Sequence, residues 1–269
     1  MDLMIIIYII FGLLPSLIWL LYYLRKDVHP ESNLMILKIF GWGAAITVPV
    51  FFIQMGLSKS INYFSAHMGL ADLDTLLVTP VSWLTPLALI IVLIYWFFVI
   101  SFSEEFFKYL VVKLRIINSP HLDEPIDLML YMVITALGFS AIENILYIVI
   151  PTGNYSFEFL VQRTLTISLI RFVGGTFLHT LCSAIIGYAI AISLCDEKNR
   201  WLEATSGIIM AIVLHGIYDF SIIALEGNLK IIIPITILII LAIFTSLGFE
   251  QLKQLKSVCK LNPYGKIKG

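Results

Sequence analysis

Apolar runs of about twenty residues recur along this chain, parted by short segments where charged residues and prolines collect. A run of that length crosses the roughly 30 Å hydrocarbon core of a bilayer as a helix. The pattern predicts seven spans: Met4–Leu24, Leu34–Leu57, Val81–Val112, Ile126–Ile150, Phe172–Cys195, Leu202–Leu225 and Ile231–Phe249. The third is long. At 1.5 Å per residue its roughly 32 residues reach about 48 Å, so it is either one tilted, protruding helix or a broken pair with Pro86 as a start. Between the fourth and fifth spans, Phe157–Ile170 sets Glu158 and Arg163 among Leu, Val and Ile at helical spacing, with Arg171 just after. That spacing predicts an interfacial amphipathic helix leading into the fifth span. The expected fold is an all-α, multi-pass transmembrane bundle, with one membrane domain over 1–250 and a short basic tail over 251–269.

Loop charges orient the spans. Arg25, Lys26 and His29 follow the first, Lys113 and Arg115 the third, and Lys198 and Arg200 the fifth; Lys253, Lys256, Lys260, Lys266 and Lys268 fill the tail. The alternate loops are poor in basic residues, with Lys59 beside Asp72 and Asp74, then Pro151 to Glu158, then Glu226 to Lys230. The positive-inside rule puts the N-terminus outside and the C-terminus in the cytoplasm. Met1-Asp2 lacks a basic n-region, so the first run reads as a retained helix. A 59% hydrophobic, 13% charged composition with mean hydropathy +0.96 excludes a soluble globular domain and makes the bilayer a partner. A net charge of −1 argues against a nucleic-acid partner. Cys182, Cys195 and Cys259 have neither CxxC nor CxxH spacing, so no disulfide framework or thiolate metal site is indicated.

Against this background a few polar residues stand out. Ser103-Glu104-Glu105-Phe106-Phe107-Lys108 lies inside the third run, and an acid at membrane depth is costly enough to suggest function. Glu143 and Asn144 lie in the fourth span, His179 in the fifth, His215 and Asp219 in the sixth. Each has a plain structural reading. The glutamates can sit at a helix end beside Lys108, and Glu143-Asn144 at an interface. His179 can be a packing contact beside Ser183, Gly174, Gly175 and Gly187, and His215–Asp219 a self-satisfied pair. Lys38, Asp127 and Arg163 are assigned to helix ends or interfaces. The joint pattern argues otherwise. Glu104/Lys108, His179/Ser183 and His215/Asp219 are i,i+4 pairs, so each helix offers both members on one face, and polar faces in a bilayer turn toward one another. Counting from the loops places all of them between mid-depth and the outer leaflet.

Adjacent carboxylates with nearby imidazoles suit water activation, a glutamate taking the proton and a His or Asn donating to the developing oxyanion. No Ser-His-Asp, HExxH or paired-Asp pattern is visible. Glu and His are also acceptable zinc ligands, and the spacing leaves open whether a metal takes part.

Glu104-Glu105-x-x-Lys108, then Gly138-Phe139 with Glu143-Asn144, then His179, then His215-Gly216-x-Tyr218-Asp219-Phe220 resemble the ordered motifs of the PrsW family of glutamic-type intramembrane proteases. The related CAAX-protease family carries EExxxR, whereas Lys108 comes one residue sooner here. The resemblance implies a bacterial membrane endopeptidase making the first cut in a single-pass, membrane-anchored anti-sigma factor, on its extracytoplasmic side. It maps the family's glutamate pair to Glu104 and Glu105 and its histidines to His179 and His215. In the expected mechanism Glu104 or Glu105 activates water, and the other carboxylate with Lys108 tunes it. His215, oriented by Asp219, and His179 polarise the carbonyl, and Glu143-Asn144 complete the cavity. No cofactor is required; a divalent metal, if bound, would take Glu105, His179 and His215. Val81–Phe97 exceeds the family's minimal layout. The rival expectations are a proton- or ion-coupled transporter using Glu104, Glu105, Glu143 and His215, against which no inverted repeat is found, and an idle scaffold.

Overall fold

The computed structural model describes residues 2–27, 30–149, 155–195 and 199–255. Among them no strand occurs. The helices are α1 Asp2–Leu24, α2 Asn33–His67, α3 Leu73–Val78, α4 Pro86–Ile94, a π-helical segment Tyr95–Phe102, α5 Ser103–Arg115, α6 Pro125–Val149, α7 Phe157–Val173, α8 Gly175–Cys195, α9 Arg200–Ala224 and α10 Leu229–Leu255. Seven helical paths are long and apolar enough to cross a membrane: α1, α2, Pro86–Arg115, α6, Phe157–Leu194, α9 and α10. The chain is a multi-pass membrane protein of the expected all-α class.

Several boundaries differ from expectation, each for a local reason. Ser32 caps α2 through Met35 N, and the helix runs on past Leu57 to His67 because Lys59, Ser60 and Asn62 lower hydropathy without breaking a helix. Asn62 Oδ1 then accepts from Leu73 N at 2.6 Å and folds α3 back. The third path starts at Pro86, in the first turn, where a missing N–H costs nothing, with Thr85 Oγ1 accepting from Ala88 N. Val81–Trp83 is a separate 3₁₀ turn. The path is therefore one helix without a gap, interrupted only by its π segment, where Ser101 Oγ donates to Trp96 O five residues back.

The expected amphipathic helix forms as α7 but is packed lengthwise on α1. Ser168 Oγ donates to Phe11 O at 2.7 Å and Trp19 Nε1 to Phe172 O at 2.9 Å, and a single break at Gly174 leads into α8. Helix α10 reaches Leu255, so the first residues assigned to the tail are helical; 256–269 lies outside the described residues.

Helix α6 is the centre of the bundle, with every residue from Pro125 to Ala141 buried and α1, α2, α5, α7, α8 and α10 against it. Helix α2 approaches it backbone to backbone, where a Cβ on Gly138 would fall on Phe40 O and one on Gly43 on Thr135 O. Backbones meet there only because both residues lack side chains. Leucines and isoleucines of α1 and α10 face outward, as lipid contact requires.

The contact makes a matched prediction. Gly138→Ala forces the two backbones apart and lowers stability by about 1–3 kcal/mol, read as a lower midpoint of unfolding in detergent. Gly41→Ala, with open space around the added methyl, leaves it unchanged.

Candidate functional site

The polar residues of α5, α6, α8 and α9 converge. The ring centroids of His179 and His215 lie 5.0 Å apart, edge to face. Around them stand Glu104, Glu105, Lys108, Glu143, Asn144 and Asp219. The π segment and α5 present Ser101, Ser103, Glu104, Glu105 and Lys108 inward, while Phe98, Phe102 and Phe106 stack along the other face at 5.0 and 5.4 Å.

The two glutamates differ. Glu105 is fully buried and saturated: Oε1 accepts from Lys108 Nζ at 2.6 Å and is 2.8 Å from His215 Nδ1, and Oε2 accepts from Ser183 Oγ at 3.3 Å. Glu104 uses only Oε1, which accepts from Gln54 Nε2 at 3.0 Å. Its Oε2 is buried without a hydrogen-bond partner. That oxygen lies 3.7 Å from His179 Nδ1 and 3.8 Å from His215 Nε2.

Donor logic assigns the His179 tautomer. Its Nε2 is 2.8 Å from Glu143 Oε2, and an ionised carboxylate only accepts, so Nε2 carries the hydrogen. Nδ1 then holds a lone pair, which receives Lys108 Nζ at 3.1 Å. His215 sits between carboxylates, Glu105 on Nδ1 and Asp219 Oδ2 at 3.1 Å from Nε2. Access is one-sided. Side-chain exposure is 0% at Glu105 and Lys108, 6% at Glu104, 17% at Glu143 and 22% at Asp219.

Glu104, His179 and His215 are the residues that could hold a divalent metal. One atom each of the three lies within 4.8 Å of the others, and Glu104 brings an Oε2 that is buried without a hydrogen-bond partner. Ligand atoms about 2.0–2.2 Å from a tetrahedral zinc are roughly 3.3 Å apart, so the trio must draw together to bind one, with His215 Nε2 turning from Asp219 and His179 Nδ1 from Lys108. Glu143 and Glu105 hold the far nitrogens of the two imidazoles, as outer carboxylates do around metal-binding histidines. The expected carboxylate was Glu105; the geometry presents Glu104, because Lys108, His215 and Ser183 occupy Glu105. A second oxygen group, Glu31, Asp123 and Asp127, lies at the other end of α6, about 24 Å along the helix from Glu143.

The sequence reading missed two contributors. Gln54 donates to Glu104 and to Ser103 Oγ, and its signal was a lone amide within an apolar span. Arg171 donates from Nε to Asn144 Oδ1 at 2.6 Å and from its terminal nitrogen to Glu143 Oε2; a cation at the mouth of a span signalled it. Arg163, expected at an interface, caps α6 by donating to Ile148 O and Tyr147 O.

The model of the family described as PrsW family intramembrane metalloprotease matches residues 31–248. A protein named Protease PrsW from Oceanobacillus iheyensis is 27% identical over 228 residues, 85% of this chain and 88% of that protein. Proteins of the same name from Bacillus subtilis and Clostridioides difficile are 25% and 27% identical, over 83% and 86% of this chain and 86% and 84% of theirs. No solved structure matches.

Lys108 carries a stability prediction. Lys108→Met leaves Glu105 buried with its ammonium partner gone, which costs about 3–5 kcal/mol when a buried pair is broken from one side. Chemical denaturation of the detergent-solubilised protein should register that loss. Adding Glu105→Gln should recover part of it.

Proposed function

The chain belongs to the PrsW family of intramembrane metalloproteases, and we propose that it hydrolyses a peptide bond of a single-pass, membrane-anchored protein by water activated at Glu104. Membership makes it a membrane peptidase and sets aside the transport and scaffold readings. The observation that carries the proposal is Glu104 Oε2, a buried carboxylate oxygen with no partner, facing two imidazole nitrogens. Such an oxygen has an open valence for a water proton.

Water held at Oε2 passes a proton to Glu104 as its oxygen bonds to the scissile carbonyl carbon. Glu104 returns that proton to the nitrogen as the C–N bond breaks. Gln54 anchors Oε1, so the carboxylate does not rotate its free oxygen away. Glu105, neutralised by Lys108, orients His215, which meets the charge developing on the carbonyl oxygen, while the Nδ1 lone pair of His179 faces the water held at Glu104. When bound by Glu104, His179 and His215, a divalent ion supplies Lewis-acid polarisation of the carbonyl and of the attacking water. Loop charges support an opening toward the extracytoplasmic half through Glu143 and Asp219, which suits an anti-sigma factor cut on its outer side.

The test is cleavage of a co-reconstituted single-pass substrate. Glu104→Gln is expected to lower the rate by about 10²–10⁴-fold, and a fully active Glu104→Gln protein ends the proposal. Metal content provides a second measurement. Bound zinc, assayed by elemental analysis after dialysis, should approach one ion per chain and fall away in His179→Ala and His215→Ala, with a chelator removing both ion and activity.

A further inference from the structure

We propose that Arg171 is a positioning residue of this site: it holds Glu143 so that His179 keeps its Nδ1 lone pair turned toward Glu104. The inference rests on the role proposed for Glu104 above. It concerns a residue that touches neither Glu104 nor either imidazole in any hydrogen bond.

His179 is asymmetric because of what lies on its two nitrogens. Nδ1 faces Glu104 Oε2 and Lys108, while Nε2 is bound to Glu143 Oε2. If Glu143 released Nε2, the ring could flip or exchange tautomers, and an N–H would replace the lone pair opposite Glu104. Glu143 is the exposed member of this chain of contacts at 17%, so water competes for it. What holds it is Arg171, whose terminal nitrogen donates to the same Oε2 that meets His179 at 2.8 Å.

Arg171 is itself fixed from several directions. Its Nε donates to Asn144 Oδ1 at 2.6 Å, and Asn144 Nδ2 donates in turn to Thr176 Oγ1 at 3.0 Å and Gly12 O at 3.2 Å. The guanidinium lies 4.5 Å from the centre of the Tyr147 ring. A Cβ at residue 175 would sit 2.7 Å from the guanidinium carbon, so Gly175 is what admits the cation between α7 and α8. A planar, two-pronged donor is required, since Glu143 and Asn144 are neighbours on α6 and are engaged together; lysine reaches one of them. Of the four site carboxylates, Glu105 pairs with Lys108 and Glu143 with Arg171, while Glu104 and Asp219 face the imidazoles.

The full-length chain in nanodiscs with a single-pass substrate tests this. Arg171→Gln should lower kcat about 10–100-fold, the usual loss on removing a partner that orients a site histidine, while KM stays within a factor of two. Adding Glu143→Gln should restore part of that loss, because the amide oxygen introduced there still accepts from His179 Nε2 without a charge to be held. A merely structural Arg171 would make the two losses add. Nitrogen-15 spectra of histidine-labelled protein give a readout independent of turnover: one unprotonated Nδ1 at His179 in the parent and mixed tautomers in Arg171→Gln. Should Arg171→Gln not fold, Arg171→Lys carries the same comparison, with a loss of roughly 3–10-fold and the same mixed tautomers. Parental kcat and an unmixed tautomer in the Arg171 variant, beside an inactive Glu104→Gln, would overturn this inference alone. An active Glu104→Gln would instead remove the reading on which it rests.

Discussion

Lys108 has no exposed surface, and its ammonium sits in the apolar centre of a helical bundle between Glu105 Oε1 and His179 Nδ1, with the Phe139 ring 5.3 Å away. A charge taken that far from water is tolerated only with an opposite charge in contact and its remaining hydrogens directed at acceptors. That requirement draws α5, α8 and α9 to one point, because the acceptors come from Glu105 and His179, and Glu105 in turn takes His215 and Ser183. The cost of burying the pair is also what separates two adjacent glutamates. Once Glu105 has neutralised Lys108, both of its oxygens are engaged, and Glu104 keeps the one oxygen of the pair without a partner.

Glu104 is held by other means. The π segment before it carries the stacked phenylalanines outward and turns the serines and glutamates in, and Ser103 Oγ returns to Val99 O at 2.5 Å. Gln54, projecting from α2, reaches across to Ser103 and Glu104 and so ties the site to a helix whose backbone meets that of α6. One carboxylate oxygen is thereby anchored and the other left open. The same preorganisation serves a metal ion or a carboxylate-held water, since both need an unpaired carboxylate oxygen.

On the accessible side the arrangement becomes less dense. Glu143 and Asp219 keep some contact with the exterior, and Arg171 and Asn144 brace Glu143 from the break between α7 and α8. Gly175 at that break gives room for the Arg171 guanidinium in place of a packed side chain. The site therefore grades from a sealed ion pair to a partly open carboxylate, and a substrate approaching from the open side meets Glu143 and Asp219 before Glu104.

Much of this was legible in the residue pattern. Seven apolar runs mark the spans because a bilayer has a fixed thickness, and polar groups within them mark the converging faces because lipid cannot satisfy them. Glu104, Glu105, Lys108, Glu143, Asn144, His179, His215 and Asp219 all follow from that reasoning. Helix ends were less legible, since hydropathy reports transfer from water whereas α2 and α10 continue through polar residues that remain good helix formers. What distinguishes Glu104 from Glu105 is invisible along the chain. They are adjacent and chemically identical, and the partners brought by distant helices, His215 and Ser183 for one and Gln54 for the other, join Lys108 of the same helix in deciding which keeps an unpaired oxygen. The sequence by itself determined that a polar site lies within the membrane and which four spans supply its glutamates and histidines, because burial in lipid acts on each residue separately. The tertiary structure alone decided which atoms remain free there, because hydrogen-bond saturation depends on neighbours far apart along the chain.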